Sequence, residues 1–179
     1  MNAMAALSSR ERVYDQSRQE FEDMVRRIDS EEVRSMTHSD LERELEKMGR
    51  ELMRKMLQEH LESRGPGESA KTVRGIDGVE RSRVRIQGRK LETIFGTVEV
   101  ERTGYGREAS QSLHPLDAEL NLPEERYSLE LSRRVAEEAA RSSFDETREF
   151  IGKTTGGHVP KRQIEEIVMR SARDFKEII

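Results

Sequence analysis

Residues 143–176 read SFDETREFIGKTTGGHVPKRQIEEIVMRSARDFK, and this stretch decides the fold. Ser143 and Glu146 have capping-box spacing, which starts a short helix at Ser143. Phe144, Thr147, Phe150 and Ile151 then share one helical face. Gly156 and Gly157 break that helix, because a residue without a β-carbon turns freely. Pro160 suits the first turn of the next helix, where its missing N–H costs nothing. Ile164, Ile167, Val168, Ser171 and Phe175, spaced by three and four, form the buried face of that second helix. Lys161, Arg162, Gln163, Glu166, Arg170 and Arg173 lie opposite. Two short helices about a glycine turn, the second opening Lys-Arg-Gln, match the helix-turn-helix description. Lys and Arg can pair with guanine and Gln with adenine. The same pattern also describes a helical hairpin with a merely solvated charged face.

Upstream, Ser128 is placed to cap a helix reaching Arg141, with Leu129, Leu131, Val135, Ala136, Ala139 and Ala140 packing inward. Arg133, Arg134 and Arg141 point outward from it. Residues 128–179 therefore read as a three-helix DNA-binding unit. Residues 108–127 read as a Pro-bearing connector.

Residues 83–103, RVRIQGRKLETIFGTVEVERT, alternate β-branched and polar residues. Phe95-Gly96 suits a hairpin turn and Gly88 a bulge or bend. Residues 65–107 thus form a basic β-ribbon, on which alternating Arg81, Arg83 and Arg85 would line one face, as phosphate contacts require. From Lys71 to Lys90 the chain carries seven basic residues against two acidic ones, although its net charge is −4. That concentration matters more than the sum. A solvated sheet face is the competing explanation. Gly104-Tyr105-Gly106 follows as a turn, since no Lys-Ser/Thr completes a phosphate loop.

Residues 1–64 are helical after a loose start at 1–9. Glu11 opens a charged helix to Ile28, seamed by Phe21, Met24, Val25 and Ile28. Ser39, with Glu42 in capping-box spacing, opens a second helix to Leu61. Leu41, Leu45, Met48, Leu52 and Met56 give it a seam over roughly three heptads. These helices pair with each other or, through residues 39–61, with a second copy of the chain. Arg64-Gly-Pro-Gly67 ends this region. The fold class expected is mainly α with a small β-hairpin.

A chain 38% charged and 4% aromatic has a lean core for 179 residues, which favours a modular, oligomeric protein. There is no cysteine, hence no disulfide and no Cys-ligated zinc. The first residues carry no signal-peptide pattern and no apolar run approaches a membrane span, so a soluble cytoplasmic protein is expected. His38, His60, His114 and His158 lack metal-ligand spacing. No nucleophile elbow or carboxylate constellation stands out, so neither cofactor nor metal is expected.

LETIFGTVEVERTGYG, then SLHPLDAELNLPEERYSLELSRRVAEEAARSSFDE, then TTGGHVPKRQIEEIVMRSARDF resembles the N-terminal part of bacterial insertion-sequence transposases of the IS-Kra group. The likeness covers about half the chain in consecutive order. It implies a DDE-type enzyme family that binds terminal inverted repeats and cuts and joins DNA with divalent metal held by three acidic residues. The chain ends at Ile179, before the region where such relatives begin their catalytic domain, so no acidic triad carries over. What the resemblance implies here is recognition of double-stranded DNA without catalysis. The residues expected to carry it are Lys161, Arg162, Gln163, Arg170, Arg133, Arg134, Arg141, Arg81, Arg83 and Arg85. An interaction module that uses the helix at 39–61 to bind another protein is the alternative.

Overall fold

The computed structural model describes residues 12–67 and 70–177, with side chains described from residue 13 to residue 173. A short 3-10 turn at Arg12–Tyr14 leads into α1 (Asp15–Ile28), then α2 (Glu31–Arg34) and the long α3 (His38–Arg64). Strands β1 (Val73–Arg74) and β2 (Glu80–Arg81) make a small antiparallel pair. Strands β3 (Arg83–Thr93), β4 (Gly96–Arg107) and β5 (Ser110–Leu113) form an antiparallel sheet in that order. Helix α4 (Pro115–Glu119) follows, then α5 (Leu129–Ala139), α6 (Phe144–Thr154) and α7 (Lys161–Glu177). The chain is mainly helical with antiparallel strands, as expected. The loose start at 1–9, the Glu11 boundary and the Phe175 side chain lie outside what is described.

Local chemistry sets most helix starts. Ser143 accepts from the Glu146 amide while the Glu146 side chain returns to the Ser143 amide, a complete capping box. Ser128 accepts from the Leu131 amide and caps α5. The long helix begins earlier than Ser39. Thr37 is its cap, accepting from the Asp40 amide at 3.2 Å.

The N-terminal hairpin is antiparallel and fastened by charge. Glu59, buried on α3, accepts from the amides of Gln16 and Ser17 and from the Ser17 hydroxyl. A carboxylate thus sits at the N-terminus of α1, where unpaired N–H groups and the helix dipole favour it. Lys55 pairs with Glu20, and Arg27 with Glu44 at 3.6 Å, along the same interface.

Helix α3 also guards β4. The Gln58 side chain donates to the Glu99 carbonyl at 3.1 Å and accepts from its amide at 2.8 Å. The Thr103 amide donates to the Pro66 carbonyl at 2.7 Å. These bonds occupy strand positions that would otherwise present an open edge.

The main apolar cluster joins Tyr127, Leu131, Val135, Ile151, Val159, Ile164 and Ile167 among α5, α6 and α7. The tip of the β3–β4 hairpin docks on it. Its turn is Ile94-Phe95, one residue earlier than expected, since Thr93 pairs with Gly96. Gly96 has φ +128, a conformation glycine adopts without strain. The Gly156 amide donates to the Ile94 carbonyl at 2.8 Å, and Arg50 of α3 donates to the Thr155 carbonyl. The segment between α6 and α7 is therefore Thr155–Pro160, longer than the usual helix-turn-helix turn and built to hold the hairpin tip.

Two further expectations change. Gly88 is no bulge: it pairs in register with Glu101, and the irregularity lies at Tyr105/Arg107. Because the ladder runs straight through Gly88, the apolar residues change faces there. Val84 and Ile86 end up exposed on the face opposite Leu91 and Val98. Gly104-Tyr105-Gly106 is not a turn but part of β4, and the segment at 108–127 contains β5 and α4.

Candidate nucleic-acid interface

Directly paired residues of an antiparallel ladder share a face. On β3 and β4 one face runs Arg83–Gly106, Arg85–Gly104, Gln87–Arg102, Arg89–Val100, Leu91–Val98. Its tip end is apolar and buried, at Leu91, Val98 and Val100. Its far end is cationic and open.

At that open end Arg83, Arg85, Gln87, Gly104, Gly106, Arg107 and Ser112 enclose a groove of about 180 Å³. No acidic side chain lines it. The two glycines stand opposite the two β3 arginines and leave the floor bare. At Gly104 a β-carbon would be tight, 3.0 Å from His114 Nε2 and 3.1 Å from Gln87 Oε1. Those two atoms are themselves bonded at 2.8 Å across the sheet. Among the described residues, Arg83 and Arg85 make no ion pair and no side-chain hydrogen bond, while Arg107 makes only a long one, 3.5 Å, to the Glu80 carbonyl. Three guanidinium groups around a bare polar floor can chelate a phosphate or another oxyanion.

Further along the face the charges are internal. Arg102 pairs with Asp117, and Arg89 lies 3.8 Å from the same carboxylate and donates to the Glu125 carbonyl. Burial, then repulsion from Arg102, lowers the Arg89 pKa. The same two causes hold His114 below its ordinary value, so it stays neutral near pH 7.

Arg81 does not share the open face. It is 2% exposed, donates to Asp77 at 3.1 and 2.7 Å and to the Gln111 carbonyl at 2.8 Å, and so ties the β1–β2 turn to β5. The expectation that it contacts phosphate fails, because alternation breaks at Ser82 between two separate strand pairs.

Lys161, Arg162 and Gln163 are grouped at the start of α7 on its accessible side, with Arg162 87% exposed. They are not free. Lys161 holds Asp145 at 2.6 Å, while Arg162 and Gln163 both bond Glu166, at 3.2 and 2.8 Å. Arg170 pairs with Glu125 at 2.9 Å. Arg133 is forked between Glu130 and Glu137, and Arg134 reaches Glu130 at 3.0 Å, which holds the Glu130 carboxyl down to about 2. Arg141 donates to the Glu137 carbonyl at 3.1 Å. Arg133 and Arg170 do come together, rimming a groove of about 400 Å³ between α5 and α7 floored by Leu129, Ala136 and Ile167.

Arg107, Gly104, Gly106 and Ser112 were not anticipated from sequence. The available signal was the match of R-x-R on β3 with G-x-G on β4, which emerges only once the turn is placed. Among the described residues no group of three or more His, Asp or Glu could hold a metal ion, and no helix is long and apolar enough to cross a membrane. Comparison with protein-family models, curated proteins and solved structures finds no match to this chain.

Proposed function

We propose that this chain is a DNA-binding part of an insertion-sequence transposase and recognises the element's terminal inverted repeats. The observation that carries the reading is the groove at Arg83, Arg85 and Arg107, a triply cationic site with no carboxylate in its lining. An intrachain role would place an anion there, as at Arg81 and Arg102. Phosphate oxygens supply it from outside.

In this reading the hairpin face clamps the backbone. The start of α7 then approaches base edges, where Arg162 and Gln163 exchange their shared partner Glu166 for bases. The exchange sets a threshold: a wrong sequence leaves these side chains on Glu166. Arg133, Arg134, Arg141 and Arg170 each already have a carboxylate or carbonyl partner and would meet phosphate only by leaving it.

Two repeat ends are brought together by pairing of two copies along the N-terminal hairpin. Helical spacing puts Phe21 and Val25 of α1 on the same flank as Gly49, Met53 and Met56 of α3. The four large side chains are 42–55% exposed, and a β-carbon at Gly49 would meet nothing within 4 Å. That open flank also suits the second reading, a helical module that binds another protein without specific DNA contact. Fluorescence anisotropy with inverted-repeat and scrambled duplexes separates the two. Tighter binding to the repeat, weakening steeply with salt, supports the first; no duplex binding at low salt removes it.

A further inference from the structure

Among the described residues the most exposed large apolar side chain stands on a braced turn. Ile76 occupies the β1–β2 turn with its side chain entirely in solvent, at 111% relative exposure. Around it the turn is held by several hydrogen bonds. The Gly75 amide donates to the Val79 carbonyl at 3.2 Å, and the Gly78 amide to the Gly75 carbonyl at 3.0 Å. Asp77 accepts from the Val79 amide at 3.0 Å and from buried Arg81 through both carboxylate oxygens. Gly78 has φ +72, and a β-carbon on Gly75 would fall 2.6 Å from Asp77 Oδ1 and 2.9 Å from Arg81 Nη1. Through Arg81 the turn is bolted to the Gln111 carbonyl of β5, the strand that gives Ser112 to the cationic groove.

This construction has two consequences. The turn cannot fold Ile76 inward without breaking the Asp77–Arg81 fork. The carboxylate at the tip, Asp77, is 45% exposed but its charge is offset by Arg81, whose hydrogen bonds are the chief cause of its pKa being lowered to about 2. What faces outward is an aliphatic side chain on a narrow ribbon that carries exposed Lys71 and Arg74, the latter 4.0 Å from exposed Glu80, and that Arg107 of the groove meets at the Glu80 carbonyl, 3.5 Å away. Because a groove arginine lies against this ribbon, a polyanion seated in the groove would run beside the turn. A two-stranded ribbon fits a DNA groove, and an aliphatic side chain at its tip can enter a base step and kink the duplex.

We propose that Ile76 is a wedge that partly unstacks a base step in the duplex held by the Arg83–Arg85–Arg107 groove, so that this chain bends the DNA it binds. The inference rests on the DNA-binding reading above and adds deformation to it. Pyrimidine–purine steps, which unstack most readily, are its preferred seats.

The test uses the full chain and a short duplex with a dye at each end. Energy transfer reports bending and anisotropy reports affinity. Wild type is expected to shorten the end-to-end distance, corresponding to a kink of roughly 20–90°. Ile76→Ala should bind within about tenfold of wild type, with the same salt dependence, and leave the duplex straight. Ile76→Leu should restore the bend, because an aliphatic group of the same size fills the step. Wild type that binds while the duplex stays straight, or Ile76→Ala that bends it fully, overturns the wedge and leaves DNA binding standing. Wild type that binds no duplex overturns both.

Discussion

A β-carbon on Gly156 would lie 2.3 Å from the carbonyl oxygen of Phe95. The hairpin tip and the α6–α7 segment therefore meet backbone to backbone, with the Gly156 amide donating to the Ile94 carbonyl beside that contact. The start of α7 is thus oriented by the β-ribbon as well as by α5 and α6, and the basic groove and the Lys161–Gln163 tip become parts of one frame. Gly156→Ala should destabilise the fold by about 1–3 kcal/mol, the usual cost of overpacking where neighbouring backbone cannot yield. Urea denaturation checks it; a midpoint equal to wild type would mean that the tip and the helices are not held together.

Glu59 sits under α1 as a buried cap. Replacing it with Ala removes acceptors for two backbone amides and the Ser17 hydroxyl. The expected loss is about 1.5–3 kcal/mol, the range for hydrogen bonds to a charged group. Limited proteolysis should then cut α1 before the rest of the chain. Resistance equal to wild type would show that another contact fixes α1.

His114 predicts the direction of one pH effect. Its folded pKa is lowered, by burial first and by Arg102 second, so the unfolded chain binds the proton more readily. Stability should therefore fall as pH drops through about 6.5, the unfolded histidine value, and be recovered above it. His114→Gln should flatten that part of the thermal-denaturation profile against pH while keeping a partner for Gln87. An unchanged slope assigns the effect to another histidine.

The exposed flank of the N-terminal hairpin predicts self-association. Phe21→Glu combined with Met53→Glu places charge in that flank without touching Glu59 or Lys55. Light scattering should report a dimer for wild type and a monomer for the double variant at equal helix content. Two monomers would remove the second copy from the account.

Much of the helical architecture was legible because its signals are local. The Ser143–Glu146 and Ser128 caps act within one turn, and Arg64-Gly-Pro-Gly67 closes the helical region, although α3 runs on to Arg64, past the expected end at Leu61. Ser39 misled because Thr37, two residues earlier, offers the same oxygen to Asp40. Non-local pairings were harder to see. Moving the hairpin turn by one residue changes every cross-strand partner, so Gly104 and Gly106 could not be placed opposite Arg85 and Arg83 beforehand. Strand β5 pairs across the irregularity at Tyr105/Arg107 and carries little alternation of its own. Arg81 had the same sequence signature as Arg83 and Arg85. Its burial depends on Asp77 and on Gln111, which no local pattern connects. The accessibility of Lys161, Arg162 and Gln163 follows from helical spacing, but their bonds to Asp145 and Glu166 look in the sequence like ordinary solvated charge.

The central claim is that the Arg83–Arg85–Arg107 groove holds backbone phosphate. The most direct test is the salt dependence of duplex binding for wild type and for the Arg83→Ala, Arg85→Ala, Arg107→Ala triple variant. Each phosphate contact adds about 0.9 to the slope of log affinity against log salt, so the triple variant should lose about 2–3 from that slope on repeat and scrambled DNA alike. Arg162→Ala with Gln163→Ala should keep most of the slope and erase the preference for the repeat. A triple variant that binds duplex with the wild-type slope would contradict the account.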